Sequence, residues 1–161
     1  MIGAFLPHAF RRVQVDYSSS GGYGRKYTYA PISFFPVEIG YDLTQRAPRE
    51  WGVADIADSA SVAIALASRG GTDGARTAIR GGSAGCFTTL AAVSQPATLH
   101  AFTVGTSLFG VSNLTRLGKV GNYKCELHYL DKLIGGTVEE ILEEYAERKP
   151  INNAQDIRSS L

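Results

Sequence analysis

TAIRGGSAGCFTT, Thr77 to Thr89, decides the fold. It reads as a short apolar strand that runs into Gly81-Gly82-Ser83-Ala84-Gly85 and then into a helix. This is G-x-S-x-G in a strand–turn–helix setting, the context a nucleophile elbow requires. A serine at the tip of such a turn has an exposed hydroxyl and a strained backbone. The chain on either side must pass close to it, so side chains at Gly81 and Gly85 are expected to clash there. The N–H of Ala84, opening the helix, is placed to donate to an oxyanion beside Ser83, and the helix N-terminus adds positive potential. Ser83 is the candidate nucleophile and the Ala84 N–H the candidate oxyanion donor.

The remaining segments predict an order around this turn. Phe10 to Tyr17, FRRVQVDY, alternates through Val13, Val15 and Tyr17 and suits a strand. Ser18 to Arg25 is a turn cluster. It lacks Gly-Lys followed by Ser or Thr, so it is no Walker loop. Gly71 to Gly74 is likewise a turn. Val53 to Ser68 carries apolar residues at Val53, Ile56, Ala57, Ala60, Ile64 and Leu66 and predicts a helix ended by Arg69-Gly70-Gly71. Asp55 and Asp58 read as helix N-terminal charge. Ala101 to Phe109 is apolar and β-branched enough for a buried strand. Tyr123 to Leu133 predicts a helix. Thr137-Val138-Glu139-Glu140, followed by ILEEYAERK, predicts another, capped at Thr137 and stopped by Pro150. INNAQDIRSSL carries no closing element. Strand, helix, elbow strand, helix, strand is a βαβαβ order. It implies an α/β domain with a parallel sheet, flanking helices and sites at strand C-terminal ends.

Composition narrows the function classes. At 161 residues, the chain has the length of one domain. A net charge of +1, with 19% charged residues, leaves no basic stripe for nucleic acid. No apolar run is long enough to span a membrane. In MIGAFLPHAFRR the arginines follow the apolar residues, the wrong order for a signal peptide. Cys86 and Cys125 make no disulfide framework, and Cys86 reads as a small packing residue. A cytoplasmic protein is the expectation. Thr28 to Glu50 has three prolines, a Phe34-Phe35 pair and no helical or strand period, which is uncommon for a loop in a compact domain.

Several motifs, in order, resemble prolyl oligopeptidase family peptidases, with the acylaminoacyl-peptidase and dipeptidyl-peptidase-like branch most similar. They are Val13-Gln14-Val15-Asp16-Tyr17, Gly22-Tyr23-Gly24-Arg25-Lys26-Tyr27, Trp51-Gly52-Val53-Ala54-Asp55 and Ile79 to Gly85. Gly105 to Ser112, Tyr129-Leu130-Asp131 and Pro150-Ile151-Asn152 continue the series. The resemblance spans most of the chain outside Thr28 to about Arg49. It implies an α/β-hydrolase catalytic domain that cleaves peptides through a Ser-Asp-His triad, with Ser83 as nucleophile, Ala84 serving the oxyanion hole, and no cofactor or metal. A peptide is the implied substrate.

The departures from that family pattern bear on activity. The HGGP-like loop and the propeller have no counterpart here, and Cys86 stands where a glycine is common. The chain stops at Leu161, about where the strand leading to the triad acid is expected to begin. The fold's triad order is serine, acid, histidine. His8 precedes Ser83. No Asp or Glu lies between Ser83 and His100, and only Glu126 lies close before His128. All three histidines therefore read as surface or packing residues, and the chain as given is expected to be nearly inert. Relative to the family, Thr28 to about Gln45 is extra. It reads as a translated intron or a lineage-specific insertion. A carboxylesterase on the same elbow and a non-enzymatic fragment are the competing readings. The Trp51-Gly52 and Tyr23-Gly24 motifs favour the peptidase.

Overall fold

The computed structural model describes residues 2–4, 11–15, 50–120 and 127–161. The segment from 16 to 49, with the GYGRKY-like motif and the extra stretch, lies outside the described residues, as do His8 and Glu126. Two short strands, β1 (Ile2–Ala4) and β2 (Arg11–Val13), pair antiparallel with Ile2 opposite Val13 and Ala4 opposite Arg11. The strand expected over Phe10 to Tyr17 is thus three residues long where it is described. It pairs with β1 rather than in a parallel ladder.

Helix α1 (Ala54–Ser68) begins one residue after the predicted start and ends where predicted. Its buried face is Ala54, Asp55, Ile56, Ser59, Ala60 and Ala63, small residues at helical spacing that let a second helix approach closely. Gly70, at φ +66, ends it. The Gly70 N–H donates to Ala67 O at 3.0 Å and the Gly71 N–H to Leu66 O at 2.8 Å. This is the paired closure that a left-handed residue after a helix provides. A single 3₁₀ turn over Gly74–Arg76, capped by the Asp73 carboxylate, leads into the sheet.

Strands β3 (Ala78–Gly82) and β4 (Val104–Leu108) run parallel, with Ala78 opposite Val104 and Gly82 opposite Leu108. Helix α2 (Ala84–Ser94) connects them and packs on one face of the pair. Residues 86–89 and 91–94 of α2 are all buried, so this helix is enclosed on every side rather than amphipathic. Full burial of a side chain such as Phe87 contributes about 2–3 kcal/mol. Trp51 packs on it with ring centroids 4.5 Å apart.

The strand expected to be buried is covered on one face only. Gly105 is buried and Ser107 half-buried beneath α2, whereas Val104, Thr106 and Leu108 alternate outward and are exposed. A strand's side chains alternate between faces. Burial on both sides needs a second layer, and the described residues place none there.

Helices α3 (Leu114–Val120), α4 (Leu127–Ile134) and α5 (Leu142–Glu147) complete the core with Leu114, Leu130, Ile134 and Tyr145. The predicted cap at Thr137 forms, but not on the helix. Thr137 N–H donates to Glu140 Oε2 at 2.9 Å and Glu140 N–H to Thr137 Oγ1 at 3.3 Å, closing a turn. Helix α5 starts only at Leu142, after Ile141 leaves helical geometry at φ −133, ψ 53. The C-terminal residues, expected to lack an element, form a 3₁₀ helix over Pro150–Asp156 that packs on α2. Ser160 then bridges Val104 in parallel, with Gly105 N–H donating to Ser160 O at 2.8 Å. Among the described residues, no helix is long and apolar enough to cross a membrane.

Candidate functional site

Ser83 stands between the last residue of β3 and the first of α2, at φ 53 and ψ −118. A non-glycine residue in that region carries strain on the order of 1–3 kcal/mol and persists only where its surroundings hold it. The surroundings here are specific. Ser83 N–H donates to Leu108 O at 3.4 Å, and Ser83 O accepts from Cys86 N–H at 2.9 Å. The turn is thereby tied forward to α2 and sideways to the end of β4.

Gly81 explains why the turn demands glycine. A Cβ there would lie 1.9 Å from Gly85 O and 2.2 Å from Gly85 C. The expectation for Gly85 needs correction: a Cβ built on it meets nothing within 4 Å. The crowding is one-sided, because the Gly85 backbone passes through the space a Gly81 side chain would fill.

Ser83 and Ala84 are both exposed. Ala84 is the first helical residue, so its N–H has no acceptor within the helix. That leaves a free donor, reinforced by the helix dipole, next to the Ser83 hydroxyl. The arrangement offers an accessible nucleophilic oxygen with an anion-stabilising N–H on the adjacent residue.

Cys86, expected to be a packing residue, also bonds. It is fully buried, and its thiol donates to Leu108 O and, at 3.4 Å, to Gly81 O. Leu108 O therefore accepts from both the elbow serine and the residue three positions on. Little in the sequence signalled this, since cysteine in an apolar helix normally packs as a small hydrophobe.

Asp55, read as helix N-terminal charge, does lie in the first turn of α1, and there its side chain faces inward. It is fully buried. One carboxylate oxygen accepts Gly52 N–H at 2.6 Å and the other accepts the Thr88 hydroxyl. The carboxylate thus joins α1 to the fifth residue after Ser83. Burial pushes its pKa up, and the Thr88 and Gly52 hydrogen bonds pull against that. Nearby, Arg148 Nη1 donates to Trp51 O at 3.1 Å and Ile134 O at 3.4 Å, anchoring the end of α5 to the loop that precedes α1.

The structure brings no base to Ser83 among the described residues, and the Ser83 hydroxyl has no hydrogen-bond partner there. His100 lies in the turn before β4, at the sheet's N-terminal edge, whereas Ser83 lies at the C-terminal edge. Five strand residues, roughly 16 Å, separate those edges. His128 is on α4.

The sequence pattern of the prolyl oligopeptidase family matches residues 37–160. No curated relative matches. Among solved structures, puromycin hydrolase is similar with 35% identity and a TM-score of 0.71 over 89% of this chain. A serine-to-alanine mutant of puromycin hydrolase complexed with PGG matches equally well. A puromycin-hydrolyzing peptidase of Mycobacterium tuberculosis is similar with 36% identity and a TM-score of 0.72. The chain spans 19% of the length of each of these. With the elbow, the parallel β–α–β unit and the family pattern in agreement, this chain belongs to the prolyl oligopeptidase family, and what it carries is part of that family's α/β-hydrolase fold.

Proposed function

We propose that Ser83 is the nucleophile of a serine peptidase site, acting on the carbonyl of a peptide bond, and that the Ala84 N–H is one donor of its oxyanion hole. The strained Ser83 at the C-terminal end of β3 carries this reading, since stored backbone strain collects where chemistry is done. The kinship with puromycin-hydrolysing enzymes supports an amide or peptide substrate. Composition and cysteine usage support a cytoplasmic setting.

The same reading holds that this chain alone is slow. An unactivated serine hydroxyl is a poor nucleophile, and loss of a triad partner lowers turnover by a factor on the order of 10⁴. Of the extra stretch, 28 to about 45, we take the part that precedes the family match at residue 37 as an insertion.

Prolonged exposure of the folded chain to a fluorophosphonate, followed by peptide mapping, tests the assignment. The adduct is expected on Ser83 within the 77–89 stretch, and absent when the chain is unfolded in urea before exposure. Equal labelling of folded and unfolded chain, or an adduct on another serine, would reject it.

A further inference from the structure

Among the described residues, Cys86 and Thr88 are the two α2 side chains that hydrogen-bond outside their own helix. The Cys86 thiol donates to Leu108 O and Gly81 O, towards the sheet. The Thr88 hydroxyl donates to an Asp55 carboxylate oxygen, towards α1. Both side chains are buried. Residues two apart on a helix point about 200° away from each other, at 3.6 residues per turn. The two sets of bonds therefore grip the first turns of α2 from opposite sides.

The Asp55 end of this grip is braced. Its other carboxylate oxygen accepts the Gly52 N–H at 2.6 Å. Gly52, at φ +89, lies so close to Phe87 that a Cβ there would stand 2.9 Å from the ring. The carbonyl before it, Trp51 O, accepts from Arg148 Nη1 at 3.1 Å. The acceptor is thus unable to follow a moving Thr88. The elbow is held less firmly from its own side. Ser83 N–H reaches Leu108 O at 3.4 Å, outside the usual range for such a bond. The setting of α2 must then fix the direction of its first N–H, that of Ala84.

We propose that Thr88, with Asp55 as its acceptor, is a positioning residue for the elbow. It blocks rotation of α2 about its own axis and so fixes the Ala84 N–H relative to Ser83 Oγ. A rotation of about 20° at the ~2.3 Å radius of a helix backbone moves an atom by roughly 0.8 Å. Misplacement by about 1 Å near a reacting centre costs on the order of 10²-fold in rate. Thr88 is buried and acts through the helix, not on a substrate. The proposal rests on the reading of Ser83 as the reacting residue and adds a determinant of its reactivity.

The test uses the full chain with Thr88→Val, which keeps the shape and removes the hydroxyl, and with Thr88→Ser, which keeps the hydroxyl. Two readouts are taken well below each variant's Tm. One is the rate at which a fluorophosphonate modifies Ser83. The other is the residual dipolar coupling of the Ala84 N–H, which reports the direction of that bond relative to the sheet. Thr88→Val is expected to label about tenfold more slowly than the parent and to change the coupling. Thr88→Ser is expected to restore both. A role confined to stability would lower Tm in Thr88→Val and leave both readouts at the parent's values, and that result overturns the proposal. If valine unfolds the chain, Thr88→Cys, a weaker donor in the same place, is compared with Thr88→Ser. Equal rates and couplings in that pair overturn it in the same way.

The two readouts separate the proposal from the reading beneath it. Adduct on Ser83 at the parent's rate in Thr88→Val overturns the positioning role and leaves the nucleophile standing. Absence of any Ser83 adduct in the parent removes the nucleophile, and the coupling then decides the grip. A coupling changed by valine and restored by serine upholds it, and an unchanged coupling overturns it.

Discussion

Gly81 and Gly85 are in backbone contact across the elbow, close enough that a single added methyl on Gly81 would overlap the Gly85 carbonyl, whereas a methyl on Gly85 would meet nothing. The two glycines of G-x-S-x-G are therefore not equivalent. The first is required by space. The second supplies the backbone that fills the space.

The expected outcome is asymmetric. Gly81→Ala forces β3 and α2 apart and lowers stability by about 3 kcal/mol, the cost of severe overpacking. Gly85→Ala changes stability by less than about 1 kcal/mol, since alanine favours the helix. Urea midpoints for the two variants check this. Equal loss in both would mean that the elbow is crowded on both sides.

Asp55 holds α1 to the elbow helix through Thr88. Asp55→Ala leaves the Gly52 N–H and Thr88 hydroxyl without their acceptor in a buried site, and is expected to cost about 2–4 kcal/mol. Asp55→Asn keeps the shape without the charge. Burial raises the Asp55 pKa above its ordinary 3.8. From that value up to the raised one, the folded chain binds more proton than the unfolded chain, so stability falls as pH rises through the window. The parent is thus expected to gain on Asp55→Asn as pH is lowered from 7 towards 4. A parent that loses ground over that interval would show the carboxylate to be favoured in its charged form.

Tyr145 is fully buried, and its hydroxyl donates to Gly136 O at 3.2 Å. Burial, with the negative charges of Asp131 and Glu139 adding to it, pushes its pKa from 10.0 to about 12. Its stabilising contribution is complete below pH 10 and is lost as pH rises towards 12. In an ultraviolet phenolate titration Tyr145 should ionise late, towards pH 12 and together with unfolding. Tyr145→Phe should remove that late step and cost about 1 kcal/mol at neutral pH. Persistence of the late step in the variant would assign it to another tyrosine.

The elbow was readable because its chemistry is local: a strand, glycines at fixed offsets and a helix start determine the turn within nine residues. Helix α1 was readable for the same reason, from its period and the Arg69-Gly70-Gly71 stop. What escaped depends on the third dimension. A carboxylate in a first helical turn looks the same whether it faces water or Thr88, and only packing buries Asp55. The Thr137 to Glu140 box formed as its sequence demands, yet the helix begins beyond it because Ile141 leaves helical geometry. Exposure of Val104, Thr106 and Leu108 reflects which face α2 covers, something an apolar strand does not reveal. Phe109, at φ 67, was hidden most completely, since a residue at positive φ is signalled by glycine and none stands there.

The rate at which a fluorophosphonate modifies Ser83, measured beside puromycin hydrolase under the same conditions, tests the central claim most directly. The account predicts an adduct confined to Ser83, formed about 10⁴-fold or more slowly than in puromycin hydrolase. Modification of Ser83 at puromycin hydrolase's rate would show that a base activates it, and modification elsewhere would contradict the nucleophile itself.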